Sequence, residues 1–108
     1  MISFEDFKKL EIKIGTVLSA EKIEGSDKLL KLMINLGEEK PRQIIAGIGP
    51  YFPDLSVLVG KQLPIAANLE PKMLKGLESQ GMILAASGND EAVLLCPQKE
   101  VPPGSIVK

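Results

Sequence analysis

The chain has 108 residues and a formal net charge of −1, with 44% hydrophobic and 25% charged residues. This length favours one domain, and this composition is typical of a folded globular protein and excludes a disordered chain. Because the sequence holds no histidine and one cysteine, it excludes an intrachain disulfide, Ser-His and Cys-His catalytic pairs, and a zinc site of the usual Cys/His type.

No stretch approaches the roughly 20 continuous apolar residues that a membrane-spanning helix needs. The first residues, MISFEDFKKL, become acidic and polar too early for a secretory signal. We therefore expect a cytoplasmic protein with no membrane partner.

A short helix is predicted at the start of the chain. Ser3 and Asp6 have the spacing of a capping box, and Phe4, Phe7 and Leu10 recur at intervals of three. One or two helical turns fit before the sequence pattern changes to that of a strand.

Four strands are predicted to follow, because segments rich in β-branched and other apolar residues alternate with turns rich in Gly, Pro and Asp. Within these strands, Gly15 is interpreted as a bulge or tight bend, and Pro64 as an edge or bulge position. The predicted strands are 12–23, 29–37, 42–48 and 57–69, with a loop at 49–56 that holds one short helical turn.

A β-hairpin is predicted where MILAAS and EAVLLC are separated by the turn residues GND. No basic residue lies beside Cys96 in the sequence, so it is interpreted as a buried small hydrophobe and not as a reactive thiol. The tail VPPGSIVK adds a turn and a last short apolar segment.

Several short strands with little helix indicate a small β-barrel or sandwich. The runs LLKLMINL and MILAA are nearly continuous in apolar residues, so these strands are expected to be buried on both faces or to meet a partner chain. This pattern favours a dimer.

Basic residues concentrate in the middle of the chain. Between Lys28 and Lys75 there are seven basic and four acidic residues, whereas residues 1–27 and 76–108 each carry a charge of −2. A fold could gather the positive segment onto one face. On charge alone, an evenly mixed solvated surface is the simpler interpretation.

The stretch NLEPKMLKGLESQGM, residues 68–82, has the length of a helix, but Pro71, Gly76 and Gly81 interrupt it. Its lysines suit phosphate groups, and its amides and hydroxyl suit phosphate, 2′-OH groups and base edges. From these residues alone, a surface crossover and a binding loop are equally supported.

Two arrangements could in principle carry catalysis. Ser79 and Lys75 are close in sequence, but nothing marks a strained nucleophile turn or an oxyanion hole. Glu38 and Glu39 are adjacent in a turn, where neighbouring side chains diverge, so they are poor candidates for a paired acid and base. Binding is therefore favoured over catalysis.

The aromatic residues narrow the class of ligand. Phe4, Phe7, Tyr51 and Phe52 all lie outside residues 68–82, although proteins that bind single strands usually stack bases on aromatic rings. An RNA ligand is therefore expected to be recognised by its shape and backbone.

From Phe4 to Lys108 the sequence resembles the tRNA-binding domain of the methionyl-tRNA synthetase family. The similar segments, in order, are GSDKLLKL, RQIIAGI, VGKQLPIAANL, PKMLKGLESQGMILAAS and PPGSIVK. The resemblance implies an all-β fold and a single tRNA-binding domain over residues 1–108. The resemblance further implies that this domain is a five-stranded oligonucleotide/oligosaccharide-binding (OB-fold) barrel with a short N-terminal helix and a C-terminal β addition that forms a dimer interface.

The resemblance also implies a function in protein biosynthesis. The domain would be a non-catalytic accessory domain or β subunit of methionine-tRNA ligase, and as a homodimer it would bind tRNA by shape and backbone to assist aminoacylation. Its implied partners are tRNA, a second copy and a synthetase catalytic chain, with no cofactor and no metal. The alternatives are a secretion-type chaperone of the same family and a purely structural dimerisation module.

By position, the resemblance implies that the RNA-binding residues are Asn68, Lys75, Ser79, Met82, Lys72, Gln80, Lys31 and Lys13. The sequence departs from the family pattern at several positions. Lys75 stands where the family has an arginine, Lys72 lies one place before the family's lysine, and Ala46 replaces a serine. Because lysine lacks the bidentate geometry of arginine, weak to moderate affinity is expected.

Overall fold

The computed structural model describes residues 1–108 as one short helix, ten strands and two 3-10 turns. The helix is α1 (Phe4–Lys8), and the 3-10 turns are Gly49–Tyr51 and Leu55–Leu58. The strands are β1 (Ile12–Lys22), β2 (Leu30–Asn35), β3 (Arg42–Ala46), β4 (Gln62–Ala66), β5 (Lys72–Leu74), β6 (Leu77–Ser79), β7 (Met82–Ile83), β8 (Ala85–Gly88), β9 (Glu91–Leu94) and β10 (Ile106–Val107).

The capping box at the N-terminus forms as the sequence predicts. The Ser3 hydroxyl accepts a hydrogen bond from the Asp6 amide, and the Asp6 carboxylate accepts one from the Ser3 amide. These contacts satisfy two of the amides that the first turn of a helix leaves unpaired. The predicted short N-terminal helix is therefore confirmed.

Five antiparallel strands form a nearly closed barrel in the order β3-β2-β1-β4-β7. The gap between β7 and β3 is bridged by the segment just before β7. There the Gln80 amide donates to the Gln43 carbonyl at 2.8 Å, and the Ile45 amide donates to the Ser79 hydroxyl at 3.0 Å. The predicted five-stranded OB-like barrel is confirmed.

The core of the barrel comes from side chains that alternate along the strands. In β2, Leu30, Leu32 and Ile34 are buried, while Lys31 and Met33 between them are only half-buried. The apolar run of this strand is thus buried on one face, because its outer face belongs to the barrel surface. Eleven buried residues from five elements and their connections form one continuous cluster.

Two special residues of the barrel have roles other than the predicted ones. The bulge of β1 lies between Val17 and Ser19, opposite β2, and not at Gly15. A Cβ at Gly15 would collide with the buried Ile34 side chain, so this glycine is required by close packing. Pro64 lies inside β4, which is flanked by β1 and β7; it is tolerated because the β4–β7 ladder pairs only the next two residues.

The second half of the chain differs from the prediction in detail. The predicted fourth strand begins only at Gln62, because residues 55–58 form a 3-10 turn that buries Leu58. The predicted hairpin forms as β8 and β9, with Asn89 and Asp90 in the left-handed conformation of its turn. The predicted burial of Cys96 is wrong: β9 ends at Leu94, and the thiol beyond it is exposed.

The last strand, β10, pairs with the start of β1 in the register Ile12↔Val107 and Lys13↔Ile106. Together with the β8–β9 hairpin it forms the predicted C-terminal β addition, which is confirmed. The chain forms no helix with the length and hydropathy that crossing a bilayer demands.

Candidate nucleic-acid interface

The stretch 68–82 contains a β-hairpin and not the loop or broken helix that its sequence suggests. β5 and β6 pair in the register Lys72↔Ser79 and Leu74↔Leu77. The two-residue turn is Lys75-Gly76, with φ angles of 51° and 77°. Two successive left-handed residues match the right-handed twist of a short hairpin. Glycine at the second turn position was the available signal, but lysine at the first is an unusual choice.

The hairpin projects beyond one end of the barrel. Gln80 lies beside Gln43 and Ser79 beside Ile45, so β6 runs antiparallel to β3. The turn at Lys75 therefore lies past the point where β3 finishes. The loop between β1 and β2 lies at this same end, because the Gly49 amide after β3 donates to the Lys28 carbonyl.

The two lysines of the hairpin are free to meet a ligand. Lys72 and Lys75 are exposed, and neither takes part in any of the four ion pairs of the structure. Met73 between them is 62% exposed. A short, hydrogen-bonded ribbon thus carries two lysines without ion-pair partners into solvent, with one exposed carboxylate, Glu78, on its second strand.

Ser79 lies inside the structure, with 5% of its surface exposed. Its hydroxyl accepts from the Ile45 amide and donates to the Gly81 carbonyl, each at 3.0 Å. The hydroxyl therefore accepts the hydrogen bond that a backbone carbonyl would accept if β6 and β3 were regularly paired. It has no bond to Lys75, so the geometry does not form the Ser-Lys dyad.

Gln80 reinforces the same junction. Its side-chain oxygen accepts from the Gln43 amide at 3.0 Å, and its side-chain amide donates to the Glu78 carboxylate at 3.3 Å. In return, the Gln43 side chain donates to the Glu78 carbonyl at 3.0 Å. The Gln43 and Gln80 side chains therefore both hold the base of the hairpin on β3, each through a hydrogen bond to the backbone of the other segment.

Asn68 is also committed to contacts within the chain. Its side-chain oxygen accepts from the Glu11 amide at 2.8 Å, and its side-chain amide donates to the Lys9 carbonyl at 2.7 Å. It therefore ties the exit of β4 to the connection between α1 and β1.

The other sequence-predicted residues lie on different parts of the surface. Lys31 is on the outer face of β2, two strands from β6, with its ammonium 3.6 Å from Glu21. Met82 is half-exposed in β7, beside Ala66. Lys13 is paired with Glu11 at 3.8 Å near the end of the barrel where β3 begins. The structure thus brings Lys72, Lys75, Ser79 and Gln80 together on the β5–β6 hairpin and its exit, places Lys31 on β2 with β3 between, and leaves Lys13 apart from them.

Sequence reasoning missed Arg42 and its partner. The Arg42 Nε and Nη2 atoms donate to the two carboxylate oxygens of Glu38, each at 2.8 Å. This hydrogen bonding lowers the pKa of Glu38 and raises the pKa of Arg42, against the opposing effect of burial on each. The spacing of four residues is the only sequence signal of this pair.

The described residues contain no group of three or more His, Cys, Asp or Glu side chains placed to hold a metal ion. The chemistry available on the hairpin side of the barrel is that of ammonium groups, amides and thioethers. Such groups bind and orient a ligand, and phosphate is the ligand that ammonium groups favour.

Residues 12–106 match the family model described as "Putative tRNA binding domain". The chain is 54% identical over 105 residues to a methionine--tRNA ligase of Methanothrix thermoacetophila, an alignment that covers 96% of this chain and 15% of that protein. The chain spans 15% to 16% of the length of the curated relatives it matches.

Two solved structures share the whole fold. The crystal structure of a MetRS related protein from Pyrococcus horikoshii has a TM-score of 0.92 and 37% identity, and covers 100% of this chain and 98% of that one. The chaperone CsaA from Bacillus anthracis str. Ames has a TM-score of 0.87 and 32% identity, with coverages of 100% and 99%.

Proposed function

The chain belongs to the tRNA-binding domain family, and we propose on this basis that it is a module that binds tRNA through the β5–β6 hairpin and the neighbouring outer face of β3 and β2. The observation that carries the proposal is the family match over residues 12–106. The exposed, unpaired Lys72 and Lys75 supply the contacts that such a ligand needs, since lysine contacts with phosphate dominate the affinity for nucleic acids.

The proposed site divides its residues between two tasks. Lys72, Lys75 and Lys31 contact phosphates, and Met82 offers an apolar contact. The side chains of Asn68, Ser79 and Gln80 are bonded within the chain, so their contribution is to hold the hairpin in place. Lys13 stays a prediction from the resemblance alone and lies outside the proposed surface.

Recognition rests on shape and backbone. Phe4 and Phe7 belong to α1, while Tyr51 and Phe52 lie at the first 3-10 turn, so no aromatic ring lies on the hairpin. Without a stacking surface there, a folded RNA with an ordered phosphate backbone fits better than an unstructured single strand.

Replacing Lys72 and Lys75 with alanine is expected to weaken tRNA binding in a salt-dependent way. Each removed phosphate contact lowers the magnitude of the slope of log K against log salt concentration by about 1. With three or four contacts, the wild-type slope is about −2 to −4. Gel shifts at several salt concentrations measure these slopes.

Lys99→Ala is the matched control for this experiment, because Lys99 is also exposed and unpaired but lies on the connection after β9. Its affinity and slope are expected to equal those of the wild type. Unchanged affinity in both single variants and in the double variant would exclude the hairpin as the site.

We further propose that the chain forms a homodimer through its terminal elements. Phe4, Ile106 and Val107 are large apolar residues that are 70%, 68% and 38% exposed. With α1 they border a mostly apolar groove of about 290 Å³, and β10 has an unpaired outer edge. An exposed apolar patch beside a free strand edge is typical of an interface, and a second copy offers the same two features in return.

Ile106→Asp is expected to shift the chain from dimer to monomer, because it places a charge in the proposed apolar interface. Sedimentation equilibrium measures the mass in solution. Val57→Asp is the control, since Val57 is 48% exposed but lies on the second 3-10 turn. A monomeric wild-type chain, or an Ile106→Asp chain that stays dimeric, would contradict the proposal.

The proposed cellular role is to raise the tRNA concentration near a methionyl-tRNA synthetase catalytic body in the cytoplasm. A tethered binding module does this without chemistry of its own, and its effect depends on its linkage to that body. The bonded, buried hydroxyl of Ser79 supports a non-catalytic role. A pull-down from native cytosol, scored for tRNA and for a synthetase chain, tests both partners.

Peptide binding is a second candidate, favoured by the likeness to a protein named as a chaperone and by the apolar groove beside α1. Separate titrations with tRNA and with an unfolded peptide distinguish the two. Peptide binding without tRNA binding would favour the chaperone function, whereas binding of tRNA without peptide binding would support the first proposal.

A further inference from the structure

The Arg42 side chain joins three segments that are far apart in sequence. Arg42 is the first residue of β3, and its Nη1 atom donates to the Ala67 carbonyl and to the Gln80 carbonyl, the latter at 3.1 Å. Its other donors engage Glu38 in the turn between β2 and β3. One guanidinium thus links this turn, the exit of β4 and the entry to β7.

The two carbonyls that Arg42 holds stand at the two ends of the hairpin excursion. The chain leaves the barrel after Ala67, forms β5 and β6, and returns at Gln80. A single nitrogen therefore joins the two ends directly. Backbone bonds hold each end as well, since the Ala67 amide donates to the Glu11 carbonyl and the Gln80 amide to the Gln43 carbonyl, each at 2.8 Å. Lys72 lies in the first pair of the same ribbon, opposite Ser79, and Lys75 lies in its turn, so their positions depend on how this base is held.

Arg42 has little capacity left for a ligand. Four of its five N–H groups are used within the chain, and its side chain is only 23% exposed. Its charge is balanced by the Glu38 carboxylate. Its fork therefore faces the protein, unlike a phosphate-binding arginine, which presents its fork to the ligand.

We propose that Glu38 and Arg42 are a positioning pair for the RNA-binding hairpin: Arg42 sets the orientation of β5 and β6, and Glu38 holds Arg42 in that orientation. This inference rests on the proposed function of the hairpin. A hairpin fixed in advance loses less conformational freedom when its lysines bind, so the pair raises affinity without contacting the RNA.

The charges around the pair define when it is intact. Arg42 and Lys13 both lower the pKa of Glu38, and Glu11 acts with Glu38 to raise the pKa of Arg42. The contribution of the pair to the stability of the fold is complete above the ordinary Glu38 pKa of 4.5. It is lost as the pH falls through the pKa that Glu38 has in the folded chain, which is lower. The pair is therefore intact at neutral pH.

The test compares Arg42→Lys and Glu38→Gln with the wild type in tRNA binding at several salt concentrations. Arg42→Lys keeps the positive charge but cannot bond to two carbonyls and a carboxylate in one plane. Both variants are expected to bind tRNA about five- to tenfold more weakly. The reason is that the hairpin is no longer held in its binding orientation in advance, and such pre-organisation tightens binding. The salt slope is expected to stay that of the wild type, because no phosphate contact is removed.

Hydrogen exchange supplies a readout that does not depend on RNA. The amides of residues 72–80 are expected to exchange faster in both variants, while those in β1 and β2 stay protected. The control is a core variant, such as Ile34→Val, chosen to lower the melting temperature of the chain as much as Arg42→Lys and Glu38→Gln lower it. Its affinity for tRNA is expected to be that of the wild type.

Each outcome decides the proposal. Wild-type affinity and wild-type exchange in both variants would overturn it, and a slope reduced by about 1 in Arg42→Lys would make Arg42 a direct phosphate contact. If the wild type fails to bind tRNA, the proposed function fails, and the exchange of residues 72–80 alone then decides whether the pair positions the hairpin.

Discussion

Gly104→Ala is expected to destabilise the chain by roughly 3 kcal/mol and to release its last strand. Gly104 has a φ of +89°, and a Cβ added there would lie 2.7 Å from the Leu36 carbonyl oxygen. Gly37 faces it with a φ of +77° and would meet the Pro103 carbonyl oxygen at 2.5 Å. Two backbones cross at this point, and no rotamer change relieves a collision between a Cβ and a backbone atom.

The crossing matters because it fixes the C-terminal segment on β1. The Gly104 amide donates to the Ile14 carbonyl at 2.7 Å, and the Ile14 amide donates to the Ser105 carbonyl at 2.8 Å. Separation of this contact would also detach β10, which the proposed dimer interface needs. The variant is therefore expected to lose its dimer together with its stability.

Gly60→Ala is the control for this variant, since Gly60 has the same φ of +89° with nothing within 4 Å of its added Cβ. It should lose only the 1–2 kcal/mol or so that a left-handed alanine costs. Urea denaturation measures both variants, and exchange of the Ile14 amide reports release of the segment. Equal losses in the two variants would show that the crossing adds nothing.

The parts of the fold that the sequence predicts are those decided by local chemistry. Ser3 and Asp6 signal the capping box, and β-branched runs between turn residues signal the first strands. Asn89-Asp90 marks the turn of the β8–β9 hairpin. In each case the residues that decide the structure are within a few positions of one another, so a short window contains the whole cause.

The contacts that close the barrel are not local, and the sequence does not reveal them. Ser79 and the Ile45 amide are 34 positions apart, and Arg42 reaches carbonyls 25 and 38 positions away. Gly15 looks like a bulge because the buried neighbour that requires it, Ile34, lies in another strand. Only the folded barrel brings these groups together.

The candidate site shows the same division. The resemblance identifies residue types and positions, and the structure adds what each side chain already contacts. Lys72 and Lys75 are free, whereas Ser79 and Asn68 are bonded within the chain. A position within an RNA-binding segment can therefore support binding either by contact or by holding the segment, and sequence alone does not separate the two.

Ser79→Ala is expected to cost about 2 to 3 kcal/mol of unfolding free energy, because it leaves the buried Ile45 amide without its acceptor and the Gly81 carbonyl without its donor. The loss falls at the junction of β6 and β3, so the hairpin should open more readily. The affinity for tRNA is expected to fall as well, while the salt slope stays unchanged because no charge is removed.

Ser87→Ala is the matched control, since Ser87 is an exposed serine of β8 whose hydroxyl makes no hydrogen bond within the chain; its effect is expected to stay within about 0.5 kcal/mol. Ser79→Thr keeps a hydroxyl at the junction and should recover part of the lost stability. Urea denaturation and tRNA titration of the same preparations separate the two roles of Ser79. If Ser79→Ala kept its full stability, the fold would not need this hydroxyl. Weakened tRNA binding by such a chain would then make the hydroxyl an RNA contact.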